Sequence, residues 1–89
     1  DPAHALRVLV VAPKAWRATR LVGMHPTTIR EADERIDVED RERQEFYRRS
    51  FHRDQTDPLD YDLVVNTASL GIPASTATIV EAFRRRFAG

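Results

Sequence analysis

Two short runs of apolar residues stand out from an otherwise polar chain. Residues 6 to 12 (LRVLVVA) are almost continuously apolar, and residues 62 to 66 (DLVVN) form a second such run. Short runs rich in β-branched residues are typical of strands that are covered on both faces of a parallel sheet. The pattern therefore predicts two buried strands, at about 6–12 and 62–66.

Helical patterns follow each of these runs. Pro13 ends the first run and suits the first turn of a helix, and the next residues predict a helix at about 14–22. After the second run we expect a loop through Gly71, and Pro73 then opens a last helix at about 73–87. The apolar positions of this last helix fall on one face, as in a helix that packs on a sheet.

The longest predicted helix, at about 28–51, is polar along most of its length. Thr27 or Thr28 is a good N-cap at its start, and Glu31 lies three residues after Thr28, as a capping box requires. Spacings of three and four residues place four side chains on one stripe, which we expect to face inward: Ile36, Asp40, Arg43 and Tyr47. Because an unpaired buried charge is costly, the two charged members of the stripe should either pair or meet a ligand.

The order strand, helix, long helix, strand, helix predicts an α/β fold with a right-handed crossover between parallel strands. Two strands do not make a stable parallel sheet by themselves, because their edges and apolar faces need neighbours. We therefore expect an N-terminal part missing from these residues, or a partner chain, to complete the sheet.

Composition removes several classes of function. The chain has 89 residues, enough for one small domain, and its formal net charge is zero from 14 basic and 14 acidic residues. A neutral chain argues against nucleic-acid binding and against adhesion to an anionic membrane. There are no cysteines, the three histidines are scattered without metal-ligand spacing, and we expect no metal site. No apolar run is long enough to span a membrane.

Three stretches of the chain resemble the cytidylate kinase-like family of nucleoside monophosphate kinases. They are the strand end at 10–13 with the Arg17–Arg20 pair after it, the Asp40–Arg43 motif (Asp-x-x-Arg), and residues 57–67 (DPLDYDLVVNT). The third is similar to the family's Asp-Pro-x-x-Tyr-Asp-Leu-Val-x-Asn-Thr segment and is the most specific of the three. Their order and spacing together carry the resemblance.

The resemblance implies the C-terminal part of a P-loop kinase-like parallel sheet, with a lid region at about 17–40. It implies transfer of the γ-phosphoryl group of ATP, with Mg²⁺, to a nucleoside monophosphate such as CMP. By the same resemblance Arg17 and Arg20 are catalytic lid residues that close over phosphates, and Asp40 and Arg43 bind the monophosphate substrate. The resemblance also implies a cytoplasmic, bacterial protein.

The sequence departs from the family in one respect. The glycine-rich phosphate loop has no counterpart, since the only glycines are Gly23, Gly71 and Gly89 and no Gly-Lys-Ser/Thr occurs. We therefore expect these residues to be the C-terminal portion of a kinase, to bind ATP and Mg²⁺ weakly and to be inactive alone.

Each candidate site residue also has a structural interpretation. Arg17 and Arg20 can be ordinary surface residues, because charged side chains mostly coat surfaces. Asp40 and Arg43 can be one more ion pair on a solvated helix. The corresponding alternative function is a non-catalytic, kinase-like module for oligomerisation or partner docking, which the apolar faces of the two predicted strands favour.

Overall fold

The computed structural model describes residues 5–88 of the chain, and in this part it contains two β-strands and four α-helices. In chain order they are β1 (Val8–Val11), α1 (Lys14–Met24), α2 (Ile29–Phe51), β2 (Leu63–Asn66), α3 (Thr67–Leu70) and α4 (Ile72–Phe87), with a 3₁₀ helix at Pro58–Asp60. The predicted mixed α/β class is therefore confirmed.

The chain divides into two compact units. The sheet unit comprises the described residues up to 12 and those from 56 onward, and so contains both strands with α3 and α4. The helical hairpin comprises residues 13–55 and contains α1 and α2.

The sheet unit contains the parallel pair that the apolar runs predict. β1 lies beside β2 in a register that places Val8 opposite Leu63 and Val11 opposite Asn66. Each strand has four residues, fewer than predicted. No third strand pairs with either of them among residues 5–88.

Within residues 5–88 the two strands are not covered on both faces. Val65 is buried, at 2 % exposure, but its neighbour Val64 is 45 % exposed and Val10 is 52 % exposed. In the sheet unit α4 packs against β2 and α3 contacts β1. A two-stranded sheet with so few neighbours leaves part of its apolar surface in contact with solvent.

The predicted loop after β2 is a short helix instead. The Asn66 side-chain oxygen accepts hydrogen bonds from the backbone N–H groups of Ala68 and Ser69, at 3.1 and 3.3 Å, and so caps α3. Gly71 then separates α3 from α4 with φ of +83°, which favours glycine. Pro73 lies in the first turn of α4, as the sequence predicts.

The helical hairpin has a small apolar core. Ala18 of α1 and Ala32 of α2 are completely buried, Ile36 is nearly so, and Leu21 packs against them. The predicted cap of α2 is confirmed, because the Glu31 N–H donates to the Thr28 hydroxyl at 3.1 Å. Small side chains at the crossing let the two helices approach closely.

The predicted inward stripe of α2 is correct for three of its four members. Ile36 is buried and Asp40 and Tyr47 are half-buried, but the Arg43 side chain is 61 % exposed. Helix α1 has 11 residues and α2 has 23, which correspond to lengths of about 16 and 34 Å. Helix α1 is therefore about half as long as α2.

Helix α2 is long enough to cross a bilayer, but its sequence is charged throughout. Nowhere in residues 5–88 does a helix combine that length with the apolar character a membrane span requires.

Candidate functional site

Arg17 and Asp40 form a two-pronged ion pair that joins the two helices of the hairpin. Arg17 Nη1 donates to Asp40 Oδ1 at 3.0 Å, and Arg17 Nη2 donates to Asp40 Oδ2 at 2.9 Å. The planar guanidinium matches the two carboxylate oxygens, which is the strongest geometry for such a pair. Because both side chains are more than a third exposed, the pair contributes only about 0.2–1 kcal/mol to stability.

The same carboxylate also faces Arg43. Arg43 Nη1 lies 3.7 Å from Asp40 Oδ1, within ion-pair range but too far for a hydrogen bond. Asp40 is thus located between two guanidinium groups, one from each helix. Three of the four predicted site residues therefore meet at one point.

A second cross-helix pair lies beside the first. Lys14 Nζ donates to Asp37 Oδ2 at 2.8 Å. Lys14 and Arg17 are three residues apart on α1, and Asp37 and Asp40 are three apart on α2, so the two pairs occupy matching turns. We refer to Lys14, Arg17, Asp37, Asp40 and Arg43 as the hairpin cluster.

Arg20, the fourth predicted site residue, lies three residues after Arg17 on α1. Its guanidinium carbon lies 5.2 Å from the centre of the Trp16 ring, a cation–π distance. The indole ring supports the cation without neutralising it. Trp16 itself is half-buried.

Hydrogen bonds within the hairpin cluster favour the charged forms of Lys14, Arg17 and Asp40. The hydrogen bonds from Arg17 are the main cause that lowers the pKa of Asp40, with further lowering by the positive charges of Arg43 and Lys14 against the opposing effect of burial. The hydrogen bond to Asp40 likewise raises the pKa of Arg17, and the bond to Asp37 raises the pKa of Lys14. The cluster contains three basic and two acidic side chains.

The cluster brings two guanidinium groups and an ammonium group together with two carboxylates. Guanidinium groups bind phosphate through the same forked geometry that they use for carboxylate. Asp37 and Asp40, the carboxylates of the cluster, are each paired with a cation. Within the described part of the chain, no group of three or more His, Cys, Asp or Glu side chains is arranged to hold a metal ion.

The ion pairs between α1 and α2 were not predicted from the sequence. The prediction considered charged pairs only within one helix, so it did not connect Arg17 with Asp40 or Lys14 with Asp37. The available signal was the matching spacing, since two basic residues three apart on a short helix precede two acidic residues three apart on the next helix. That signal does not say which basic residue meets which acidic one, because this depends on how α1 packs against α2.

The chain contains a parallel pair of strands with α-helices, and its helical hairpin carries the hairpin cluster. The model of the cytidylate kinase-like family matches residues 1–69, which is most of the chain, and the chain therefore belongs to this family. The matched residues include both strands and the whole hairpin cluster, and they identify a kinase-like domain. No curated protein matches the chain, and no solved structure does so either.

Proposed function

We propose that this chain is the part of a nucleoside monophosphate kinase that holds phosphate groups during transfer from ATP to a CMP-like acceptor. The observation that carries the proposal is the shared carboxylate of Asp40. Because Arg17 and Arg43 both reach it, from different helices, both also reach a single anion of similar size at that place.

The four residues have distinct roles in this proposal. Arg17 presents two N–H groups to phosphate oxygens, and Arg20 extends the positive surface along α1. Arg43, whose side chain is the more exposed of the two cluster arginines, clasps the phosphate of the monophosphate substrate. Asp40 lies close enough to both arginines to set their positions or to contact the substrate.

ATP supplies the phosphoryl group, and its Mg²⁺ offsets charge on the phosphates. The protein contributes positioning and fixed positive charge, which dominate catalysis of phosphoryl transfer because little covalent chemistry is needed from side chains. Guanidinium groups from two helices hold a phosphate in one orientation better than either does alone.

The proposal includes a contribution from outside these 89 residues. They contain no Gly-Lys-Ser/Thr sequence to cradle ATP. The half-exposed Val10 and Val64 also leave room for further sheet neighbours. We expect the chain alone to bind a monophosphate weakly and to transfer no phosphoryl group.

Calorimetric titration of the chain with CMP at low ionic strength tests the proposal. We expect binding that weakens at least about tenfold in Arg17→Ala and in Arg43→Ala, since charge-assisted bonds to phosphate contribute about 1.5–3 kcal/mol each. Arg35→Ala is the matched control, because Arg35 lies on α2 and pairs with Glu39 at 3.0 Å outside the cluster. Absence of CMP binding, or equal weakening in Arg35→Ala, would contradict the proposal.

One observation favours the alternative of a docking module. The sheet unit has an apolar surface groove of about 370 Å³, and Phe83 in its wall is 52 % exposed. Its lining residues are Leu6, Val8, Ile79, Val80, Phe83 and Arg84. If self-association through this groove is the function, light scattering will show a dimer that Phe83→Ser dissociates, and CMP will not bind.

A further inference from the structure

The carboxylate of Asp40 occupies the place where the proposed function puts a phosphate. Both of its oxygens accept from Arg17, at 3.0 and 2.9 Å, and one of them is 3.7 Å from Arg43. A carboxylate between two guanidinium groups presents the same charge sign and a similar pair of oxygens as a phosphate group. A phosphate that uses the Arg17 fork must therefore compete with Asp40 for the same N–H groups.

The exposure of the pair makes such an exchange feasible. The Arg17 and Asp40 side chains are 36 % and 39 % exposed, and solvent-exposed ion pairs are weak. Arg43 is more exposed still and is only loosely paired with Asp40. An incoming anion can meet Arg43 first and then replace the carboxylate on Arg17, without uncovering any buried charge.

We propose that Asp40 competes with phosphate for Arg17. In the absence of phosphate its carboxylate accepts both hydrogen bonds of the Arg17 guanidinium, and a bound phosphate displaces it. This inference depends on the proposed function, because it assumes that Arg17 and Arg43 bind phosphate. It assigns Asp40 a role different from direct substrate binding, which the family resemblance implies. The two roles predict opposite effects of removing its charge.

The test uses inorganic pyrophosphate, which has no sugar or base for Asp40 to recognise. Calorimetry of the whole 89-residue chain at low ionic strength should show that Asp40→Asn binds pyrophosphate about two- to fivefold more tightly than the wild type, the factor that corresponds to the strength of an exposed ion pair. Asp40→Glu, which keeps the charge, should show no such gain.

Glu39→Gln is the charge-matched control. It also removes one negative charge from α2, but Glu39 pairs with Arg35 rather than with the cluster. Its affinity for pyrophosphate should change by less than about 1.5-fold, because screened charges outside the site have small effects. If Glu39→Gln gains as much affinity for pyrophosphate as Asp40→Asn does, the gain comes from net charge alone and the inference is wrong.

A second measurement uses only the wild-type chain, so it does not depend on whether the variant folds normally. The Nε–H signals of Arg17 and Arg43 in the wild-type chain should both shift in NMR spectra when pyrophosphate is added. If the wild type binds but Asp40→Asn binds equally or more weakly, competition is wrong and the proposed function stands. If neither protein binds pyrophosphate or CMP, the proposed function fails and the inference fails with it.

Discussion

In the sheet unit two strands are joined by a backbone ladder, whereas in the helical hairpin two helices are joined by side chains. The strand ladder illustrates the first case, since it places Val8 opposite Leu63, and the Asp62 N–H donates to the Arg7 carbonyl at 2.8 Å just before it. Arg17 and Asp40 illustrate the second, because their contact is entirely between side chains.

The two units also differ in what they leave exposed. The sheet unit exposes apolar side chains such as Val10 and Phe83, while the hairpin keeps a buried apolar centre and exposes charge. The strands are joined by backbone hydrogen bonds. The exposed ion pairs of the hairpin add little to its stability beside the buried apolar centre, but the same ionic side chains are the candidate phosphate ligands.

The largest expected effect is on the buried side chains of the two units. Ile36→Ala in the hairpin should lower the free energy of unfolding by about 2–4 kcal/mol, since it removes buried methyl groups and leaves a cavity. Urea titration followed by circular dichroism measures it. Val38→Ala, at a 45 % exposed position of the same helix, is the control. Equal losses in the two variants would show that α1 does not bury Ile36.

In the sheet unit, adjacent residues of β2 provide the matched pair. Val65→Ala should cost about 1–3 kcal/mol, because Val65 is buried, and Val64→Ala should cost less than about 1 kcal/mol because Val64 is half-exposed. Urea titration again gives the values. A larger cost at Val64 would indicate that this face of the sheet is covered, and so would reverse the contrast between the units.

The capping side chain of α2 should have a smaller effect. Thr28→Ala removes the acceptor for the Glu31 N–H and should lower the free energy of unfolding by about 1 kcal/mol. Thr78→Ala is a suitable comparison, since its hydroxyl bonds only to the Ala74 carbonyl within α4. Thermal unfolding distinguishes the two. A cost at Thr28 no larger than at Thr78 would mean that the cap does not stabilise the hairpin.

Each unit contains one carboxylate whose pKa is lowered, Asp40 in the hairpin and Asp62 in the sheet unit, and the two causes can be compared in the folded protein. NMR titration should place the pKa of Asp40 and of Asp62 below their usual value of 3.8. Arg17→Ala should raise the pKa of Asp40 towards that value, since hydrogen bonds from the Arg17 side chain are the main cause of its lowering. Arg7→Ala should leave the pKa of Asp62 lowered, because the backbone N–H of residue 7 is the main cause there. An opposite result would reverse the assignment of backbone and side-chain control.

The sign of the pH dependence follows from these directions. A carboxylate whose pKa is lower in the folded protein binds fewer protons there than in the unfolded chain. The stability that Asp40 contributes is therefore complete above its unfolded pKa, near 3.9, and is lost as the pH falls through its lower folded value. In Asp40→Asn the free energy of unfolding should therefore fall less steeply as the pH is lowered through this range.

Local signals in the sequence predicted the elements well, whereas contacts between elements were not predictable. The apolar runs located β1 and β2, and Thr28 located the start of α2, because strand burial and helix capping depend on neighbouring residues. The helix α3 was missed although Asn66 is a good cap, since four residues show no helical period.

The site was predicted in its members but not in its arrangement. Family motifs pointed to Arg17, Asp40 and Arg43, but the pairing of Arg17 with Asp40 depends on how two helices pack. The exposure of Arg43 likewise depends on how the helices pack. Neither property is encoded in the periodicity of α2, which placed Arg43 on an inward stripe.

The central claim is that Arg17 and Arg43 serve one anion. A double-mutant cycle for CMP binding, with Arg17→Ala, Arg43→Ala and the double variant, tests it by calorimetry. We expect the two losses to be coupled by more than about 0.5 kcal/mol, because both side chains hold the same phosphate. Losses that add within about 0.3 kcal/mol would show that the two arginines act at separate places and would contradict the account.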